Sequence, residues 1–162
     1  MTKEQYIKVT QFLRNDPQKV QAVKIGNRIL TGLVFLCYPI FLLYLLWRKD
    51  VWLAKAIIVP MNSFLLVSWV RMIINAKRPY EKFGIPPVLE KDTIGKSFPS
   101  RHVFSVFIIA MTFFYQFPWL GVGFMIIGIL LGIIRVLGGV HEPRDVFAGA
   151  VIGILCGIIG YF

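Results

Sequence analysis

Long charge-free stretches alternate with short polar ones along the chain. Ile29 to Trp47 is 19 residues without a charge, bounded by Arg28 and Arg48. As a helix, that length crosses a hydrocarbon core of about 30 Å. Asn15-Asp16-Pro17 upstream predicts a helix start, with Asp16 as N-cap and Pro17 in the first helical position. Residues 1–14 place Tyr6, Val9 and Leu13 on one face, the pattern of a short interfacial helix. Arg48-Lys49-Asp50 predicts a tight turn, and Val51 to Val70 a second span, with Lys55 near its start and a kink at Pro60. Val103 to Ile134 is 32 residues with no Asp, Glu, Lys or Arg. One helix of that length would run about 48 Å, too long for a single crossing. Gln116-Phe117-Pro118 therefore divides it into two spans joined by a short turn. Val146 to Phe162 is a fifth apolar segment, in which Gly149, Gly153, Gly157 and Gly160 follow the small-xxx-small spacing of close helix contacts. The pattern predicts an all-α transmembrane bundle of about five spans plus an N-terminal interfacial helix. It forms one domain over 1–162, with 1–28 as the N-terminal interfacial segment and 71–101 as a polar loop at a membrane surface.

Composition agrees. Of 162 residues, 57% are apolar before the 14 glycines are added, and only 16% are charged, against about 25% charged in soluble domains. A soluble domain of this size could not hide that much apolar surface, and disorder is excluded for the same reason. Net charge is +10, from 18 Lys and Arg against 8 Asp and Glu. In a membrane protein that balance points to anionic headgroups or phosphate ligands. No basic run interleaved with aromatics lies outside the spans, so no nucleic acid partner is expected. Cys37 and Cys156 lie in apolar segments without a CxxC or Cys/His partner and read as small buried hydrophobes. Residues 1–28 carry six basic residues and no apolar core, so no cleavable signal peptide is expected.

Five spans bring the end of the second, the start of the third, the end of the fourth and the start of the fifth to one membrane face. That face receives Arg71 and Arg78; Ser100, Arg101 and His102; Arg135; and His141 and Asp145. Arg71 and Arg78 are seven apart, two helical turns, so a continuing helix points both the same way. Two guanidiniums on one face suit a multiply charged oxyanion. Ser100 is the expected N-cap of the third span, whose free N–H groups favour an anion, and His102 in that first turn can exchange a proton. Arg135 ends a long uncharged run and needs a partner. His141 and Asp145 are neighbours if their stretch is helical, while Pro143 between them fits a turn into the fifth helix equally well. A carboxylate on one imidazole nitrogen fixes the tautomer and leaves the other as nucleophile or base. Each feature alone is ordinary. Together they describe a cationic phosphate site with an oriented nucleophile and a second histidine for the leaving group, the equipment of metal-free phosphoryl transfer.

Arg71-x6-Arg78-Pro79, Pro99-Ser100-Arg101-His102 and Arg135-x5-His141-x3-Asp145 resemble, in order, spacing and position relative to the spans, the three motifs of the type 2 phosphatidic acid phosphatase superfamily. The family pattern is K-x6-R-P, P-S-G-H and S-R-x5-H-x3-D. The resemblance implies a lipid phosphatase acting on a phosphomonoester or pyrophosphate of a lipid: phosphatidate, phosphatidylglycerophosphate or a polyprenyl phosphate or pyrophosphate. It implies catalytic roles for His141 as the nucleophile that forms a phosphohistidine, Asp145 as its orienter and His102 as the acid. Arg71, Arg78, Ser100, Arg101 and Arg135 would bind the phosphate, with Arg101 at the pocket mouth. The implied enzyme needs no metal and no cofactor. Three positions depart from the pattern: Arg71 stands for Lys, Arg101 for Gly and Ile134 for Ser. None removes a catalytic group.

Two other classes fit parts of the pattern. A transporter or lipid-phosphate-binding protein could use the cationic pocket without chemistry, although all the charges share one face. A metal-dependent hydrolase could use His102, His141 and Asp145, although the arginines disfavour a cation. The N-terminus shares the catalytic face and carries six basic residues, against Arg48, Lys49 and Lys55 on the opposite side. The positive-inside rule then places a multi-pass protein in the cell membrane with its catalytic face in the cytoplasm.

Overall fold

The computed structural model describes residues 1–91 and 93–162. Asp92, one of the acidic residues of the 71–101 loop, lies outside the described residues. The described residues form seven helices: α1 (Lys3–Arg14), α2 (Pro17–Trp47), α3 (Leu53–Ile74), α4 (Pro79–Phe83), α5 (Arg101–Gln116), α6 (Pro118–Leu137) and α7 (Pro143–Tyr161). Four of them, α2, α3, α6 and α7, are long and apolar enough to cross a membrane. The fifth expected span is α5, whose 16 residues give it a shorter rod of about 24 Å. The longer helices surround it, and Val103, Phe104 and Ala110 are fully buried.

Local chemistry sets the boundaries. The Asp16 carboxylate accepts the Gln18 N–H at 2.9 Å, and Pro17 occupies the first helical position of α2. Phe117 alone separates α5 from α6, and Pro118 starts the new helix because it needs no N–H partner there. The α7 glycines let that helix lie directly on α5. A Cβ at Gly149 would stand 2.6 Å from the Ser100 carbonyl oxygen, and one at Gly153 would stand 2.9 Å from that of Phe104. Gly160 packs instead against Val59 of α3.

Helix α1 packs on the polar face through Tyr6, Thr10 and Leu13, all buried. Tyr6 and Leu13 are buried as expected, while Thr10 is buried where Val9 is only half-buried; the Tyr6 hydroxyl reaches the carbonyls of Ile85 and Gly139, 3.2 Å from each. Burial pushes that phenol up to about 12, so it stays a neutral donor. Arg14 adds a bond to the Pro86 carbonyl.

The structure corrects one sequence argument. Arg71 and Arg78 do not share a helix. Helix α3 ends at Ile74, its C-cap Asn75 is left-handed (φ 40°), and Arg78 is the N-cap of α4.

Candidate active site

Arg71 in the last turn of α3 is buried and faces the loop that precedes α5. Its Nη1 donates to the Ser97 carbonyl at 3.3 Å and to that of Pro99, and its Nη2 donates to the Lys96 carbonyl. Arg71 thus clamps the segment that carries the second motif. Arg78, brought round by the Asn75 turn, donates from Nε to the Gly95 carbonyl and from Nη1 to the Val140 carbonyl, each at 3.1 Å. It ties the second motif's loop to the turn before His141. Glu81 reinforces the tie by accepting from the Gly95 N–H at 2.7 Å and the Arg78 N–H at 3.1 Å. The two arginines converge through loop geometry rather than helical periodicity.

His141 is 1% exposed and lies just before α7, whose N-cap is Glu142 and whose first residue is Pro143. Of the two geometries the sequence allowed, the turn into the helix is the one formed. His141 Nδ1 lies 3.5 Å from Asp145 Oδ2 and 3.4 Å from Ser97 Oγ. Ser97 Oγ donates to the same carboxylate oxygen at 2.5 Å, and the Glu142 N–H donates to it at 3.1 Å. Asp145 is held by these donors, with the Arg144 guanidinium 3.7 Å from its other oxygen, and it is placed to accept an Nδ1 proton from His141, which would leave Nε2 as the free lone pair. Burial pulls the His141 imidazole down to about 4, and Arg135 and Arg78 add to that, while the Asp145 bond opposes it. The ring is neutral at physiological pH.

Arg135, 4% exposed, has one partner: its Nη1 donates to Asn27 Oδ1 on α2 at 3.2 Å. Its Nε and Nη2 are buried with no partner among the described residues, and so is Ser100 Oγ. Ser100 is the N-cap of α5, but its hydroxyl does not cap that helix. Its N–H donates to the Asp145 carbonyl at 2.8 Å, which seats the start of α5 beside the start of α7. Thr31 Oγ1 on α2 and Ser68 Oγ on α3 are also unpaired, but only Arg135 and Ser100 stand beside His141 and Asp145, and there buried unpaired donors point to an acceptor that the described residues do not supply.

His102 and Arg101 occupy the first turn of α5 on its other side. Both line a groove of about 540 Å³ between α2, α3 and α5, otherwise walled mainly by residues such as Tyr38, Phe64, Leu65 and Val106. The Arg101 guanidinium lies 5.4 Å from the centre of the Phe64 ring. Glu142 is buried but matched by Lys82 at 2.6 Å and Arg144 at 2.9 Å. Lys91 stands in the same electropositive region, where burial and then Arg135, Arg78, Arg101 and Arg71 pull it down to about 8.

Three contributors escaped the sequence argument. Ser97 stood beside the second motif but carried no spacing signal. Asn27 sits 108 positions from the arginine it holds, and no local pattern marks it; Tyr6 stood on the expected face of the first helix, but its bonds to Ile85 and Gly139, 79 and 133 positions away, had no local signal.

Comparison with known proteins brings in the same region. The model of the PAP2 superfamily matches residues 52–161. Bacitracin transport permease protein BcrC of Bacillus licheniformis is 33% identical over 86 residues, which is 51% of this chain and 42% of that one. A lipid A 1-phosphatase of Porphyromonas gingivalis is 34% identical over 85 residues, 50% of this chain and 19% of that one. The chain thus spans less than half the length of these two relatives. Among solved structures, Aquifex aeolicus LpxE superposes with a TM-score of 0.70 at 25% identity, covering 97% of this chain and 92% of that one. The PAP2-type phosphatidylglycerolphosphate phosphatase of Bacillus subtilis gives a TM-score of 0.75 at 21% identity, covering 98% and 82%. At that identity the second likeness speaks for the fold alone.

Proposed function

This chain belongs to the PAP2 superfamily, and from that premise we propose that it is a membrane lipid phosphatase working through a phosphohistidine. The observation that carries this reading is the set of unpartnered buried donors, Arg135 Nε and Nη2 with Ser100 Oγ, in the region of a neutral, carboxylate-held His141. A phosphate seated on those donors and on the N–H groups opening α5 is neutralised by fixed groups rather than by water.

His141 Nε2 then attacks phosphorus, and Asp145 stabilises the charge that appears on the ring. His102 gives its proton to the departing lipid oxygen and later takes one from the water that cleaves the phosphorus–nitrogen bond. Arg71 and Arg78 act on the phosphate through their charge while their hydrogen bonds hold the surrounding loops. The cations do the work that a divalent metal would do elsewhere, so no metal or cofactor is needed. The apolar groove beside His102 accommodates the hydrocarbon of the leaving lipid, which makes a lipid phosphate of the bilayer the natural substrate. Lipid A 1-phosphatase, the name of a similar protein, agrees with that class. The six basic residues of the N-terminal segment favour a cytoplasmic site by the positive-inside rule.

Purified protein in detergent is to be assayed against phosphatidate, phosphatidylglycerophosphate and polyprenyl phosphates with excess chelator present. Phosphate release that survives the chelator and stops with vanadate is the expected result. Loss of turnover in chelator with rescue by added metal would overturn the metal-free mechanism. Binding without any phosphate release would favour a lipid-phosphate-binding protein or transporter.

A further inference from the structure

We propose that Arg101 selects lipids with a second phosphate next to the scissile one, by pairing with the phosphate that departs with the lipid. The proposal rests on the phosphatase reading above and narrows its substrate class to lipid diphosphates.

The scissile phosphate has its own donors in Arg135 and Ser100, with the charge of Arg78 nearby. Arg101 is placed elsewhere. It shares with His102 the wall of the groove, so it lies along the path that the leaving group takes beyond the protonated oxygen. In a prenyl monophosphate, the atoms next on that path are carbon, and a guanidinium there finds no anion to bind. In a diphosphate, the next centre is a phosphate, which a guanidinium binds in a two-pronged contact.

No ion pair between Arg101 and a carboxylate is formed among the described residues. Glu142 is taken by Lys82 and Arg144, Glu90 by Lys24, and Asp145 by His141 and Ser97. The Phe64 ring steadies the guanidinium without neutralising it. Lys91 adds a further cation, crowded enough by Arg101 and its neighbours to fall to about 8, and an additional anion there would relieve that crowding.

The step balances without another reactant. A bond forms between His141 Nε2 and the terminal phosphorus. The bond from that phosphorus to the bridging oxygen breaks, and its electron pair stays on the oxygen, which takes the His102 proton. Lipid monophosphate leaves. Water then attacks the phosphohistidine, returns a proton to His102, and orthophosphate departs.

The test uses farnesyl diphosphate and farnesyl monophosphate, so that the hydrocarbon contribution cancels, on the full chain in detergent. The wild type is expected to show kcat/KM at least tenfold higher on the diphosphate. Arg101→Gly should lower the diphosphate-to-monophosphate ratio at least tenfold, and Arg101→Lys should keep most of it. An unchanged ratio in Arg101→Gly, or a wild type that prefers the monophosphate, overturns the proposal. Binding of inorganic diphosphate and orthophosphate to the His141→Ala protein is measured alongside. Diphosphate should bind more tightly, and adding Arg101→Gly should remove the difference; equal binding in His141→Ala counts against the proposal. Failure of the wild type to release phosphate from either lipid, with diphosphate still preferred in the binding measurement, would overturn the phosphatase reading and leave Arg101 as a diphosphate-recognition residue.

Discussion

Helices α5, α6 and α7 pack as an inner trio, and α2 and α3 stand outside them around the groove. In the trio, glycines bring backbones together: Gly149 and Gly153 of α7 lie against α5, and Gly128 of α6 lies against Phe107. On the outer pair, Gly32 of α2 faces open space, and Phe35 and Trp69 are exposed. The trio carries the histidines, Asp145, Ser100 and Arg135. The outer pair brings Arg71 and Asn27, each of which acts by holding something that belongs to the trio. The groups proposed to do chemistry are on the rigid part, and the groups that admit a lipid and align the arginines are on the open part.

The comparison is broken most completely by His141→Ala, which should lower turnover about 10⁴-fold or more on every substrate, since no other group can take the phosphoryl. His102→Ala should cost about 10²–10⁴-fold where the leaving group is a lipid alcohol, and much less with an activated aryl phosphate that needs little protonation. Steady-state rates on both esters measure this; equal relative losses for the two variants on both esters would sink the assigned roles.

Packing gives the next effect. A larger side chain at Gly153 would push against the Phe104 carbonyl and the Phe107 Cβ, 2.9 and 2.8 Å from the position of an added Cβ. Gly153→Leu should therefore destabilise the protein by about 1–3 kcal/mol, while Gly32→Leu should be tolerated. Thermal unfolding in detergent compares the two, and similar Tm losses would erase the distinction between trio and outer pair.

Asn27→Ala removes the outer pair's hold on Arg135. A hydrogen bond to a charged group is worth about 1.5–3 kcal/mol, so a loss of about tenfold or more in kcat/KM is expected. Asn27→Asp, which keeps the acceptor, should retain more activity. An alanine variant with unchanged kinetics would make the contact incidental.

The smallest effect is a titration. His141 should gain its proton only as the pH falls through about 4. The Asp145 bond works against that depression, so Asp145→Asn should move the midpoint lower still. NMR of the imidazole in the empty protein reads both midpoints, and a wild-type value near the ordinary histidine range would contradict the burial argument.

Much of this architecture was legible in the sequence because the membrane imposes simple rules. The break at Gln116-Phe117-Pro118 follows from length alone, and Asp16-Pro17 marks a helix start by its own chemistry. The convergence of Arg71, Ser100, Arg135 and His141 on one face follows from counting spans. The route by which Arg78 joins them was misjudged, because the left-handed Asn75 that ends α3 looks like any other asparagine in a linear reading. Asn27 was invisible for a different reason. Its role exists only once α2 lies against α6, where Gly26 meets Ile134 and Asn27 meets Arg135. Ser97 shows a third limit, since a hydroxyl that bonds a carboxylate is indistinguishable from a loop serine until the carboxylate is in place.

The contact between Tyr6 and Gly139 also bears on how the protein is made. These residues are 133 positions apart, so translation delivers Tyr6 long before Gly139. The amino-terminal helix must wait at the bilayer surface while the intervening helices are inserted, and it can dock only when the turn before His141 has appeared. Contacts that span so much of a chain close late. A nascent chain interrupted before that turn therefore lacks a seat for α1, and the surroundings of His141 are completed by residues made long before it.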